Sequence, residues 1–310
     1  MKHTWKITAV LLAMFFLAQL IGIAVMNVYS PQTQQVTAPD GNQTNVTIYN
    51  LPYGMEPPAE STPKNTLYTI IFSFLIAVTL IFVLMKIKAE LFLRIWFFVV
   101  VSIALAITFN SALKYLIPYA SLFALVFSLV LAFYKIFKRN IIIHNITEVL
   151  IYPGIAAIFV SLLSIPTVVI LLILISLYDI YAVWHAGFMQ KMAHYQIKTL
   201  KVFSGFFVPY LNKKQKDMLK NVKTKSKSLK NKKIKVSIAL LGGGDVVFPM
   251  ILAGVVLHAL GFITALIISL GATLALGLLF YYSEKGKFYP AMPFISAGCL
   301  VAIGIVYFIF

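Results

Sequence analysis

Residues 236–257 read VSIALLGGGDVVFPMILAGVVL, 22 residues with a single charged side chain, Asp245, near their middle. A helix needs about 20 mostly apolar residues to cross a bilayer core, so this stretch is long enough to span and holds its charge where lipid would surround it. Eight similar runs share the chain, at about 7–28, 66–85, 91–110, 112–134, 147–164, 167–186, 260–282 and 289–309. Composition agrees: 61% of the 310 residues are hydrophobic and 11% are charged, against about 25% charged in a soluble domain. The expectation is an all-α polytopic membrane protein with nine transmembrane helices.

Lysine and arginine set the orientation, because they collect in cytoplasmic loops. With the N-terminus cytoplasmic, alternation places 24 of the 26 basic residues inside, including the 14 lysines from Lys191 to Lys235, and leaves Lys64 and Lys114 outside. The C-terminus then lies outside. The formal charge of +17 is therefore a signature of topology and not of nucleic-acid binding. The first run, Ile7 to Val28, is longer than a signal-peptide core and is taken as a retained anchor.

Two regions follow. Residues 1–144 form an N-terminal membrane region of about four spans, with a polar outside loop near 29–65 that carries N-x-T sequons at Asn42 and Asn45. Residues 145–310 form a second membrane region of about five spans with a basic cytoplasmic loop, 187–235. Within that loop, 189–211 mixes aromatic and lysine residues as an interfacial, partly helical segment would. Residues 212–235 are lysine-rich with few large apolar residues, as in a disordered linker able to lie against anionic lipid headgroups. The lone cysteine, Cys299, excludes an internal disulfide.

Of nine acidic residues, only Asp179 and Asp245 are placed well inside apolar runs; Glu148 and the other six are assigned to loops or span ends. No basic residue is placed inside a span to neutralise them, so their simplest partners are each other, water and backbone. Asp179 lies about 7 residues, ~10 Å, from the cytoplasmic end of its span, and Asp245 about 9 residues, ~13 Å, from the same end of the next. Two consecutive antiparallel helices thus present carboxylates at similar depth. Such a pair resists joint ionisation and shares a proton. One member can then take a proton from water while the other hydrogen-bonds a scissile carbonyl. The pair alone also suits a proton- or cation-coupled transporter.

Neighbouring residues favour the hydrolytic reading. Gly242, Gly243 and Gly244 before Asp245 remove side chains and let another backbone approach. Tyr178 precedes Asp179 and is placed to hydrogen-bond in the site. Pro290 and Pro293, flanking Ala291 and Met292, break the helical ladder where the ninth span opens.

Tyr178-Asp179, Gly242-x-Gly244-Asp245 and Pro290-Ala291-Met292, in that order on the sixth, seventh and ninth spans, resemble the presenilin and signal-peptide-peptidase family of GxGD intramembrane aspartyl proteases. The archaeal-type members are the nearest in feel. The resemblance implies that Asp179 and Asp245 are the catalytic pair and that Pro290-Ala291-Met292 shapes the site, Met292 standing where the family has Leu. It also implies a substrate that unwinds and pairs as a strand beside the segment entering the seventh span, where Ile234, Val236 and Ile238 alternate. The inside placement of 187–235 is presenilin-like, whereas Asp245-Val246-Val247-Phe248-Pro249 looks like the peptidases. Expected partners are single-span transmembrane or signal-peptide substrates and membrane lipids, with no nucleic acid; a homo-oligomer is compatible. The expected location is a prokaryotic, archaeal cell membrane.

No cofactor or metal is called for: H-E-x-x-H, G-x-S-x-G, Walker A and dinucleotide patterns are all absent from the sequence, and Ser176 and Ser237 sit in no nucleophile motif. His185 is taken as an interfacial histidine.

Overall fold

A computed structural model describes residues 5–37, 43–48, 51–55, 63–87, 89–138, 140–186, 203–210, 237–284 and 289–309. Nine α-helices lie among them: α1 (Trp5–Val28), α2 (Pro63–Lys86), α3 (Glu90–Leu113), α4 (Ala120–Phe137), α5 (Ile141–Val160), α6 (Ile165–Tyr181), α7 (Gly243–Leu260), α8 (Phe262–Tyr282) and α9 (Met292–Ile309). Two antiparallel ribbons join them: β1 (Gln32–Thr37) with β2 (Gln43–Ile48), and β3 (Gly205–Tyr210) with β4 (Ser237–Gly242). Seven helices, α1 and α3 to α8, are long and apolar enough to cross a membrane; α2 and α9 contribute shorter apolar stretches, Asn65–Ile81 and Met292–Phe308. The fold is a polytopic α-helical membrane protein.

The helices are apolar on nearly every face, as expected where lipid replaces water outside the bundle. α7 is the most enclosed: Met250, Ile251, Leu252 and Ala253 are almost fully buried. α1 packs against α5, α7 and α8; α6 packs against α9 and α7; and α3 lies between α4 and α5. Outward faces carry large apolar residues such as Trp96, Phe123, Phe127 and Leu274. Gln19, buried halfway along α1, donates its side-chain N–H to the Val246 carbonyl at 2.9 Å, one residue past Asp245. Replacing Gln19 by Leu should lower stability by about 1 kcal/mol, the net contribution of one hydrogen bond. Thermal unfolding in detergent reads it; an unchanged midpoint would mean that the bond contributes nothing.

Several expectations need correcting. The seventh span does not begin at Val236. Residues 237–242 are strand, paired from Tyr210↔Ser237 to Gly205↔Gly242, and the helix starts at Gly243, because the glycine triplet favours a break over a continuous helix. Of the interfacial segment 189–211, residues 205–210 are strand and not helix; the rest, and the 212–235 linker, fall outside the described residues, apart from Phe203 and Ser204. The loop near 29–65 holds the β1–β2 ribbon; Asn45 lies in β2 and Asn42 is outside the described residues. The fifth helix begins at Ile141, six residues earlier than expected, since Asn140 caps it by accepting from the Ile142 and Ile143 amides.

The acidic inventory also changes. Glu148 is not at a span end but buried within α5, and a basic residue does lie inside the bundle: Lys135, in the last turn of α4, is ion-paired with it. An unpaired charge at that position would be costly; the pair satisfies both.

Candidate active site

Asp179 sits in the last turn of α6 and is buried. Beyond it the helix loosens into a π-helical turn, Ala182–Ala186. Across from it, α9 begins at Met292, after the non-helical Tyr289 and Pro290. The first amides of any helix lack intrahelical acceptors and carry its partial positive charge. Pro290 and Pro293 have no N–H to offer, which leaves Ala291, Met292 and Phe294 as the donors at that end. Asp179 Oδ2 accepts the Met292 N–H at 3.1 Å, and the Ala291 amide faces the same carboxylate. The Pro-x-x-Pro spacing thus makes a two-amide cradle for one acid. A buried Ser176–Ser296 hydrogen bond of 2.9 Å, one turn before Asp179, ties α6 to α9 beneath it.

Asp245 stands in a comparable place on a different helix. Gly242 is the N-cap of α7, so Asp245 is its third residue, the position from which an acidic side chain reaches back to the N-cap amide. Its carboxylate takes the Gly242 N–H. A Cβ on Gly242 would lie 3.3 Å from Asp245 Oδ2, so glycine leaves that carboxylate its seat. α6 packs on α7, and Asp179 is near enough for its charge to act on Asp245. Both acids are therefore held at helix N-termini, where amides stabilise negative charge that lipid would not.

The three glycines have different surroundings. Gly243 is wedged against Ser204 and Tyr152, Gly242 faces Asp245, and Gly244 is exposed, with only Phe248 within reach of a Cβ. Tyr178 is 39% exposed, and Tyr181 and Trp184 project further outward; none is enclosed with the aspartates. Of the proline motif, Pro290 and Met292 are buried, while Ala291 and Pro293 are half-buried. The His185 side chain lies outside the described residues.

Sequence reasoning passed over the polar face of α5. His144, Glu148 and Tyr152 recur every fourth residue and so share one side of a helix. The Tyr152 hydroxyl donates to Glu148, which also accepts from Lys135 and from the Gly205 amide at 3.1 Å. Tyr152 in turn contacts Gly243 and stacks edge-on with Phe206. The four-residue spacing was the available signal, masked by the later start assigned to this span.

A family model described as signal-peptide peptidase, presenilin aspartyl protease matches residues 44–310. Two solved structures of a presenilin family intramembrane aspartate protease, in space groups C222 and P2, are similar in fold. The first has a TM-score of 0.61 at 18% identity, with 98% of this chain and 99% of that chain covered. The second has a TM-score of 0.60 at 18% identity, with 97% of each chain covered. No curated protein matches the chain.

Proposed function

The chain belongs to the signal-peptide peptidase, presenilin aspartyl protease family and is an intramembrane aspartic endopeptidase; from that premise we propose that Asp179 and Asp245 are its catalytic pair. The observation that carries the proposal is the seating of both carboxylates at facing helix N-termini, within each other's electrostatic reach. One aspartate, ionised, removes a proton from a water; the other, protonated, donates to the scissile carbonyl oxygen. Water attacks the carbonyl carbon to give a gem-diol, and the proton passes on to the departing nitrogen as the C–N bond breaks. The amides of Met292 and Gly242 keep each carboxylate oriented through the exchange of roles.

The substrate is a single-span transmembrane or signal-peptide segment presented in extended form. Antiparallel pairing directs alternate residues of a strand to opposite edges. With Phe206↔Leu241 and Val208↔Ala239 paired, the backbone groups of Ile238 and Leu240 point away from β3, while those of Gly242 serve Asp245 and the first turn of α7. Among the described residues no strand occupies that edge. An extended peptide can add there, with its chain leading past Gly242 towards Asp245. Exposed Gly244 leaves room for it. Ile234 and Val236 are outside the described residues.

Around this site we retain nine spans with a cytoplasmic N-terminus and an outside C-terminus, and the division into 1–144 and 145–310, with α1 packed into the second region. Lipid contact by the 187–235 loop, homo-oligomerisation and an archaeal cell membrane belong to the same proposal. The transporter reading draws no support from the family match. Purified protein given a labelled single-span peptide in detergent, with no ion gradient, is expected to cleave it within the apolar segment. Gradient-driven ion uptake by reconstituted vesicles, with no hydrolysis of several such peptides, would overturn the proposal.

A further inference from the structure

β3 has two edges, and the second is not left free. Its Gly205 and Phe207 point their backbone groups away from β4, and the polar face of α5 meets both. The Glu148 carboxylate accepts the Gly205 N–H at 3.1 Å, and His144 Nε2 lies 2.8 Å from the Gly205 carbonyl. Asn145 accepts the Phe207 N–H at 2.9 Å and donates to the Phe207 carbonyl at 2.7 Å. Side chains of a helix thus reproduce, residue by alternate residue, the bonds a neighbouring strand would make.

The charges behind this face fix its chemistry. Lys135 and Glu148 are ion-paired and almost entirely enclosed. Lys135 Nζ also lies 3.4 Å from His144 Nδ1. An ammonium group can only donate, so Nδ1 is the acceptor and Nε2 carries the hydrogen that reaches the Gly205 carbonyl. Lys135 therefore sets the histidine tautomer as well as balancing Glu148. Tyr152, bonded to the same carboxylate, abuts Gly243, and the Gly243 amide donates to the Ser204 carbonyl at 3.3 Å. The face that holds β3 is in this way joined to the turn that carries Asp245.

We propose that His144, Asn145 and Glu148 of α5, with Lys135 of α4, are positioning residues: a strand clamp that closes the outer edge of β3 and fixes the β3–β4 ribbon relative to the aspartates. Two consequences follow for the enzyme. An extended substrate can add only at β4, because the other edge is already filled. The register of that addition, and hence which peptide bond reaches Asp179 and Asp245, is set by a ribbon that cannot slide. This inference rests on the strand-addition reading above and concerns the selection of the bond, not the chemistry that breaks it.

The test maps cleavage products by mass spectrometry for one labelled single-span peptide and the purified full chain. The variants are Asn145→Ala, which releases Phe207 without touching a charge, and the combined Lys135→Met, Glu148→Gln, which removes both charges together. Glutamine keeps an acceptor for the Gly205 amide. A β register slips by two residues when it keeps its faces, so each folded variant should divert product to bonds two residues from the wild-type site and raise KM several-fold. Asn145 is half-buried, which makes its truncation mild; if the double variant fails to fold, Asn145→Ala alone decides. A merely structural role would lower the amount of active enzyme and leave the product pattern unchanged. An unchanged cleavage pattern in folded Asn145→Ala overturns the clamp. Cleavage persisting in Asp179→Asn instead strikes at the catalytic assignment on which the clamp depends, so the two failures are separable.

Discussion

Asp179→Asn and Asp245→Asn each leave a folded helical bundle that hydrolyses a single-span peptide far more slowly. The amide is nearly isosteric with the carboxylate, and its oxygen can still accept the Met292 or Gly242 N–H, so the starts of α9 and α7 keep their partners. What is lost is the exchangeable proton. With one member replaced, the surviving carboxyl group cannot take a proton from water and donate one to the scissile carbonyl oxygen in the same step. The expected loss in kcat is about 10²- to 10⁴-fold, the scale of a positioned acid or base. The double variant should be little worse than either single one, because residues that act as a unit lose their effect together. Burial of a carboxylate in a lipid-surrounded bundle is costly, so neither substitution should lower the unfolding midpoint, and a small rise is consistent with an active site held at the expense of stability. Rates come from labelled peptide in detergent and midpoints from thermal unfolding of the same samples. Near wild-type cleavage by either single variant would refute the two-carboxylate mechanism.

The helices that could be found in the sequence were those whose only requirement is lipid. Residues 5–28 and 262–282 show long apolar runs bounded by polar residues, and the structure ends both helices within a few residues of the expected limits. Elements decided by distant pairing were not legible in the same way. Ser237–Gly242 is apolar enough to extend a spanning helix, and only its pairing with Gly205–Tyr210, far away in sequence, makes it a strand. A short apolar run has no period of its own that separates the two outcomes. The glycines after it held the clue, since each weakens a helix by about 1 kcal/mol relative to alanine.

The site divided along similar lines. Asp179 and Asp245 stood out because their surroundings in the sequence contain nothing else charged. Glu148 did not, because Lys138, Arg139 and His144 lie near it in the chain and suggest a water-facing loop. Its burial depends on Lys135 reaching it from the preceding helix, a pairing that requires the α4–α5 turn to be placed first. Once α5 starts at Ile141, the four-residue spacing of His144, Glu148 and Tyr152 identifies the polar face directly.

Gly243→Ala should damage the enzyme far more than Gly244→Ala, although both add one methyl group to the same turn. A Cβ on Gly243 would lie 2.7 Å from Ser204 Oγ, 2.9 Å from the Tyr152 hydroxyl and 3.0 Å from Tyr152 Cε1. Tyr152 has nowhere to retreat: it is fully buried, bonded to Glu148 and packed edge-on against Phe206. The strain must then move the start of α7, at a cost of about 1–3 kcal/mol for overpacking, against which alanine regains at most about 1 kcal/mol of helix propensity. Because Asp245 lies two residues on, a shift of about 1 Å there should lower kcat on the order of 10²-fold. A Cβ on Gly244 meets nothing closer than Phe248 Cε2 at 3.7 Å, an ordinary contact on an exposed face. Gly244→Ala should therefore unfold no earlier than wild type, and any loss should fall on KM, where the methyl group competes with substrate for the open side of the turn. Unfolding midpoints and a kcat against KM separation for both variants decide the matter. Wild-type kcat in Gly243→Ala would show that Tyr152 yields after all, and that the polar face of α5 does not hold Asp245 in place.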